Sequence, residues 1–250
     1  MTRRFEGKVA LITGGARGIG RGIVQAIAAE GGIVGVLDRA EDLAKEAAAA
    51  IEATGGRAMA FGGDVARRES FTAAISAMKE RYGRFDVLVN NAIWVRYGPI
   101  DGITPEMLER MVGTGFNSVV WGIQTAAEAM TEGGSIVNIA SAAAFIGMPK
   151  GMVYAGVKAG VLGLSRSASA ELGPRGIRVN SVCPGSVPTE GVTLNVDPEM
   201  IKLRIAKTPM QRLSTVEDVA RAACFLASDD ARSITGESIL VDGGATHAYL

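Results

Sequence analysis

Residues 9–20 read VALITGGARGIG, an apolar run that passes directly into a glycine-rich turn. The run Val9–Thr13 has no polar alternation, which is typical of a strand covered on both faces. Small and apolar residues follow the turn and predict a helix. A strand, a glycine turn and a helix in this order predict the first unit of a parallel α/β sheet.

The same alternation continues to the end of the chain. Further apolar runs predict strands at 33–38, 58–61, 87–90, 135–139, 178–183 and 238–241, and helical spacing covers 43–53, 70–82, 152–172 and 216–227. This pattern predicts an α/β fold with a doubly wound parallel sheet and helices on both faces. In such a fold the ligand crevice lies at the carboxyl ends of the strands.

Composition limits the possible classes of protein. The 250 residues are 48% hydrophobic and carry 26 basic and 26 acidic side chains, so we expect one domain, 1–250, without nucleic acid or an anionic membrane as partner. The uncharged stretches are shorter than the roughly 20 apolar residues of a membrane span. Two cysteines in apolar surroundings and a short first apolar run favour a cytoplasmic protein. A proline-rich stretch at about 186–212 suits a flap over a site.

The glycines of the first turn have the spacing Gly-x-x-x-Gly-x-Gly, at Gly14, Gly18 and Gly20. Glycine lets the backbone turn sharply, and the N-terminus of the following helix presents free N–H groups to a phosphate. The loop therefore favours a dinucleotide site, with a purely structural turn as the alternative.

The second predicted strand ends at Asp38, 18 residues after Gly20. An acidic residue at this spacing accepts hydrogen bonds from the adenosine ribose and repels a 2′-phosphate, which favours NAD over NADP. Arg17 and Arg39 flank this position and could bind a phosphate, so NADP stays possible. A strand-end turn residue is the alternative role for Asp38.

The chemistry has to proceed without histidine, because His247 is the only one and lies near the C-terminus. We therefore do not expect a Ser-His-Asp triad, a histidine-based zinc site or a conventional imidazole base. Tyr154 and Lys158 stand four residues apart on one helical face, where the ammonium is predicted to lower the tyrosine pKa from about 10. Such a tyrosine can exchange a proton with a ketone or alcohol oxygen, although the pair could also only cover a surface.

Four motifs, at 13–20, at Asn90-Asn91-Ala92, at Ser141 and at Tyr154-x-x-x-Lys158, occur in one order across the chain. Together they resemble the short-chain dehydrogenase/reductase family. The resemblance implies a Rossmann fold with seven parallel strands, usually in tetramers, that binds a nicotinamide dinucleotide and needs no metal.

The resemblance also implies roles for individual residues. Ser141 would hydrogen-bond the substrate oxygen, with a cap at the end of a strand as its alternative role, and Tyr154 would exchange the proton. Lys158 would bind the nicotinamide ribose, while Asn117 would hold a water that links Lys158 to solvent. An asparagine at a helix bend is the alternative role for Asn117.

The cofactor residues implied by the resemblance extend over several strand ends. Asp64 and Val65 would meet the adenine, and Val187 and Thr189 the carboxamide. Asn90 would lie near the adenosine ribose, and a mainly structural role is its alternative. The predicted cofactor residues are Gly14, Arg17, Gly18, Ile19, Gly20, Asp38, Asp64, Val65, Asn90, Ala92, Tyr154, Lys158, Pro184, Gly185, Val187 and Thr189.

One position departs from the family. Ile93 stands where the family has glycine after Asn-Asn-Ala, so the resemblance does not predict the backbone path of this loop. Bulky residues such as Trp94 and Arg96 follow Ile93 and are expected near the mouth of the crevice. Candidate substrate residues are Trp94, Arg96, Ala143, Phe145 and Met148, with Met152, Val192 and Leu194 as further walls. Because most of them are apolar, we expect a hydrophobic or cyclic substrate. Small residues in the helix from Met152 leave a smooth strip for close approach, at Gly156, Ala159, Gly160 and Gly163. The resemblance implies a subunit contact there, and we therefore expect a homotetramer.

The sequence thus predicts an oxidoreductase that transfers a hydride between NAD(H) and a secondary alcohol or ketone. An NADPH-dependent 3-ketoacyl reductase of the fatty-acid synthesis type is the first alternative. A non-catalytic nucleotide-sensing protein is the second, and its expected mark is the loss of Tyr154 or Lys158.

Overall fold

The computed structural model describes residues 3–189 and 197–248. Within these ranges, seven strands form one parallel sheet in the order β3-β2-β1-β4-β5-β6-β7. They are β1 Val9–Thr13, β2 Ile33–Asp38, β3 Arg57–Gly62, β4 Val87–Asn90, β5 Gly134–Ile139, β6 Ile177–Pro184 and β7 Ser238–Val241. The predicted Rossmann-like, doubly wound sheet is confirmed, and its order reverses between β1 and β4, the place at which sheets of this kind bind their ligands.

Helices cover both faces of the sheet. They are α1 Gly18–Ala29, α2 Glu41–Glu52, α3 Arg68–Tyr82, α4 Pro105–Val112, α5 Ser118–Ala129, α6 Met152–Leu172, α7 Pro198–Ala206 and α8 Val216–Ala227. A π-helical segment, Gly113–Asn117, joins α4 to α5. None of the helices in the described ranges is long and apolar enough to cross a membrane. Part of the predicted flap, residues 190–196, lies outside the described residues, and so do the predicted wall residues Val192 and Leu194.

The core lies on the two faces of the sheet. On one face Ile12 of β1 belongs to a buried cluster with Ile23 of α1 and Val219 of α8. On the other face Leu11 belongs to a cluster with Phe71 of α3. Adjacent residues of β1 thus pack on opposite faces, which explains why the strand has no polar alternation.

A chain of buried polar side chains crosses the centre of the sheet. Asn90 Nδ2 donates to Asn138 Oδ1 at 2.8 Å, and Asn138 Nδ2 donates to Ser165 Oγ at 2.9 Å. The Ser165 and Ser181 hydroxyls lie 2.8 Å apart. Hydrogen-bonded polar groups in a low-dielectric core hold their elements in one arrangement, so this hydrogen-bond network fixes α6 against β4, β5 and β6.

Candidate active site

The glycine turn between β1 and α1 has a conformation that other residues would not adopt. Gly14 has φ +61° and Gly18 has φ +52°. A Cβ at Gly20 would lie 2.1 Å from the Gly14 carbonyl oxygen, and a Cβ at Gly14 would lie 2.9 Å from Asn91 Nδ2. Side chains are therefore excluded here, and the backbone can approach a ligand closely.

The N-terminus of α1 suits an anion. Within the described ranges no side chain caps this end, and its first turn carries no acidic residue. The free N–H groups and the helix dipole thus remain available to a phosphate. This observation, with the glycine cradle, fits the pyrophosphate of a dinucleotide.

Two side chains brace the turn and were missed as functional residues from sequence. Asn91 Nδ2 donates to the carbonyl oxygens of Thr13 and Gly14 at 2.9 and 3.2 Å. Thr13 Oγ1 accepts from the backbone N–H groups of Asn91 and Ala92 at 2.9 and 3.1 Å. The Asn90-Asn91 pair in the sequence could have pointed to Asn91, but the prediction from sequence gave a cofactor role only to Asn90.

Asn90 does not lie where the sequence predicted. Its side chain is buried, donates to Asn138, and directs Oδ1 at Gly122 rather than toward the crevice. The prediction of a ribose contact is corrected, because side chains alternate between the faces of a strand and Asn90 is turned into the core. Its neighbour Asn91 is the one beside the glycine turn.

Asp38 lies at the carboxyl end of β2, beside the turn. Its Oδ2 accepts from Ala16 N at 3.3 Å and its Oδ1 accepts from Ala40 N at 3.1 Å. These contacts orient the half-buried carboxylate and leave further lone pairs for ribose hydroxyls. Arg17 and Arg39 are exposed and, within the described ranges, form no salt bridge.

The other predicted cofactor segments lie at the same edge of the sheet. Asp64 Oδ1 accepts from Ala66 N at 3.0 Å just after β3, and Val65 is buried. Gly185, after β6, donates its N–H to the Val241 carbonyl, and Val187 is buried. The Thr189 side chain lies 3.4 Å from where a Cβ at Gly18 would be, so the segment after β6 reaches the glycine turn.

Ser141, Tyr154 and Lys158 come together at the ends of β5 and α6. The Ser141 hydroxyl acts to lower the pKa of Tyr154 by hydrogen bonding to its oxygen. Ser141 Oγ also accepts from Ala143 N at 3.1 Å. Lys158 Nζ donates to the Ile139 carbonyl at 2.5 Å and lies 6.0 Å from the centre of the Tyr154 ring.

The pKa of Tyr154 differs from the sequence prediction. Burial raises it above its ordinary value of 10.0, and the Ser141 hydrogen bond only partly opposes this. Lys158 is fully buried, and burial lowers the pKa of its own ammonium to about 8. Because desolvation disfavours both charged forms, the protein holds Tyr154 protonated at neutral pH.

Asn117 does not join this cluster. Its side chain is exposed, and within the described ranges it makes no hydrogen bond. Gly115 instead faces α6, where a Cβ would lie 2.7 Å from Val157 and 2.8 Å from Ile93. The bulk of Ile93 thus fills the space beside Gly115, and the predicted catalytic role of Asn117 is not supported by its position.

The predicted substrate residues divide into two groups. Trp94 packs near Tyr154 in an apolar cluster, and the Arg110 guanidinium lies 4.4 Å from the centre of its ring. Ala143 is buried and Met148 is half-buried, whereas Phe145 is 44% exposed at the rim. Arg96 is exposed. The wall beside Tyr154 is therefore mainly apolar and aromatic.

Comparison with known proteins gives a consistent result over the whole chain. A family model described as Enoyl-(Acyl carrier protein) reductase matches residues 14–246. The chain is 39% identical over 253 residues to an L-2,3-butanediol dehydrogenase of Corynebacterium glutamicum, covering 95% of this chain and 98% of the relative. It is 37% identical over 246 residues to the 2,5-dichloro-2,5-cyclohexadiene-1,4-diol dehydrogenase LinX of Sphingobium indicum, covering 98% of both.

The fold is also similar to that of a solved structure over nearly the whole chain. A short chain dehydrogenase from Burkholderia cenocepacia J2315 in complex with NADP superposes with a TM-score of 0.91 at 34% identity, over 97% of this chain and 99% of that one.

Proposed function

This chain belongs to the short-chain dehydrogenase/reductase family, and we propose that it transfers a hydride between NAD(H) and a hydrophobic or cyclic secondary alcohol or its ketone. The observation that carries the proposal is the juxtaposition of Ser141, Tyr154 and Lys158 beside a glycine turn shaped for a dinucleotide. The relatives named as alcohol and diol dehydrogenases support the same class of reaction.

The side chains divide the proton chemistry between them. Ser141 donates a hydrogen bond to the substrate oxygen and stabilises the charge that develops on it. Tyr154 gives its proton to a ketone oxygen, or takes one from an alcohol. Lys158 places a cation beside the tyrosine oxygen when that oxygen ionises. When bound, the nicotinamide ring supplies or accepts the hydride.

NAD is proposed as the preferred cofactor on the basis of Asp38, and its replacement should change the preference. We expect Asp38→Ser to lower kcat/KM with NAD at least about tenfold, because two hydrogen bonds to a charged group are lost. The value with NADP should rise, since the repulsion of the 2′-phosphate disappears. Asp42→Ser, at an exposed acid of α2, is the matched control. An unchanged ratio of the two values would remove the basis for NAD preference.

The apolar wall around Tyr154 supports the substrate class. We expect turnover of cyclic and aromatic secondary alcohols in a panel followed by nicotinamide absorbance, with NAD and NADP in parallel. Small polyols and a 3-ketoacyl thioester complete the panel. Turnover confined to the polyols would contradict the proposed class, and turnover confined to the thioester with NADPH would favour the 3-ketoacyl reductase.

We further propose a homotetramer in the cytoplasm. A Cβ at Gly156 or Gly163 of α6 would meet nothing within 4 Å, which leaves a smooth strip for a second subunit. Cys183 and Cys224 are buried free thiols, in keeping with a reducing compartment. An equilibrium sedimentation mass equal to a single chain would exclude the tetramer.

A further inference from the structure

A second tyrosine lies against the proposed acid/base. The rings of Tyr97 and Tyr154 have their centroids 5.5 Å apart and are inclined by 78°. This edge-to-face arrangement is the favourable one for two aromatic rings, because the positive edge of one ring meets the negative face of the other. The contact opposes a swing of the Tyr154 side chain about χ1 and thus helps to fix the position of its hydroxyl.

The loop that carries Tyr97 is held at both ends. At its start, Trp94 N donates to Thr114 Oγ1 at 3.0 Å, and Arg110 stacks on the Trp94 ring. At its end, Gly98 N donates to the Lys150 carbonyl at 2.9 Å. Lys150 has a left-handed φ of 63°, a strained conformation for a residue with a side chain. The backbone on either side of Tyr97 is therefore fixed relative to α4 and to the start of α6.

The Tyr97 side chain is suited to positioning rather than to core packing or proton transfer. It is 55% exposed, so its burial contributes little to the core. Desolvation of its hydroxyl by surrounding atoms nevertheless raises the pKa of Tyr97 to about 12, and the charge of Arg204 opposes this only in part. Tyr97 is therefore protonated at neutral pH.

We propose that Tyr97 is a positioning residue, whose ring holds the Tyr154 ring in the orientation that presents its hydroxyl to the substrate. The proposal rests on the proposed function, because it gives Tyr154 the proton-transfer step. It explains why a bulky aromatic residue stays exposed on a loop that is held at both ends.

Kinetics separate the ring from the hydroxyl. We expect Tyr97→Leu to lower kcat roughly threefold to tenfold, the range that corresponds to the loss of an aromatic pair in the transition state. The KM for the dinucleotide should stay the same, since the glycine turn is untouched, and Tyr97→Phe should restore kcat. A Tyr97→Leu variant with kcat within twofold of wild type would overturn the proposal, as would a Tyr97→Phe variant as impaired as Tyr97→Leu.

The ring contact can be measured without turnover. The chain contains four tyrosines, so a sample labelled with ¹³C in the tyrosine rings gives few signals, and Tyr154→Phe assigns the one of interest. We expect the Tyr154 ring signals to shift in Tyr97→Leu and to stay near their wild-type positions in Tyr97→Phe. Unshifted Tyr154 signals in Tyr97→Leu would overturn the proposal.

A failure of the proposed function would give a different experimental result from a failure of the Tyr97 proposal. It would appear as a Tyr154→Phe variant as active as wild type, whereas failure of the Tyr97 proposal alone leaves Tyr154→Phe inactive and Tyr97→Leu fully active.

Discussion

Replacing Tyr154 with phenylalanine is expected to lower kcat by roughly 10²-fold to 10⁴-fold, the usual contribution of a positioned acid/base. The substitution removes one oxygen and keeps the ring that packs against Tyr97. The dinucleotide Kd should change little. Steady-state kinetics with saturating cofactor and a cyclic alcohol, together with a binding titration, measure both quantities.

The matched control is Tyr82→Phe, which removes a hydroxyl at the end of α3, away from the cluster. Its kcat should equal that of wild type. Nearly full turnover in Tyr154→Phe would remove Tyr154 from the mechanism.

The raised pKa of Tyr154 also sets the direction of the pH dependence. Alcohol oxidation needs the ionised oxygen, so its rate should rise with pH across the alkaline range. Ketone reduction needs the protonated form, which burial favours, so its rate should be flat near neutral pH. The opposite order of the two profiles would contradict the assigned roles.

Replacing Lys158 with methionine is expected to lower kcat by about 10²-fold or more and to stabilise the fold at pH 7. Burial lowers the pKa of Lys158 from 10.5 to about 8, so its charge costs the folded state about 3 kcal/mol. Loss of its hydrogen bond to the Ile139 carbonyl offsets about 1–3 kcal/mol of this gain. The net gain at pH 7 is thus about 1 kcal/mol.

Chemical unfolding of both proteins at several pH values checks this second prediction. Between pH about 8 and 10.5 the unfolded chain still binds the lysine proton that the folded wild type has released. Wild-type stability therefore rises with pH in this window, and the advantage of the methionine variant disappears. A variant that is less stable than wild type at every pH, or that keeps full activity, would contradict the account.

Most of the strands could be predicted because they are apolar runs buried on both faces, as in β1, β2, β4, β5 and β6. The predicted runs at 9–13, 33–38, 87–90 and 238–241 coincide with β1, β2, β4 and β7. β5 begins one residue earlier than predicted, and β3 and β6 extend one residue further at both ends, where strand boundaries are least defined. The glycine turn and the Tyr154–Lys158 pair could also be predicted, because each consists of residues a few positions apart in the sequence.

The region 105–129 could not be predicted as helix. Gly113, Thr114 and Gly115 interrupt helical propensity, and the structure absorbs them in a π-helical segment that changes which residue faces α6. The sequence therefore assigned the role to Asn117, whereas Gly115 lies beside Ile93.

The pKa of Tyr154 and the ring contact with Tyr97 depend on tertiary structure. The sequence places a cation one helical turn from Tyr154, but burial is the largest influence on the pKa of both groups. Tyr97 is far from Tyr154 along the chain, and only the path of the loop after Ile93 brings the two rings together. Neither property has a local pattern that could reveal it.

The most direct test follows the hydride and the proton together. Wild-type protein, NADH carrying deuterium at the transferable C4 position and a cyclic ketone are incubated, and the product alcohol is examined by mass spectrometry. The account predicts deuterium on the carbinol carbon, and transfer at least about 10²-fold slower with Tyr154→Phe. Two results would contradict the account. One is deuterium that stays on the cofactor with every ketone tested, whether the cofactor is deuterated NADH or deuterated NADPH. The other is an equal rate of deuterium transfer by wild type and Tyr154→Phe.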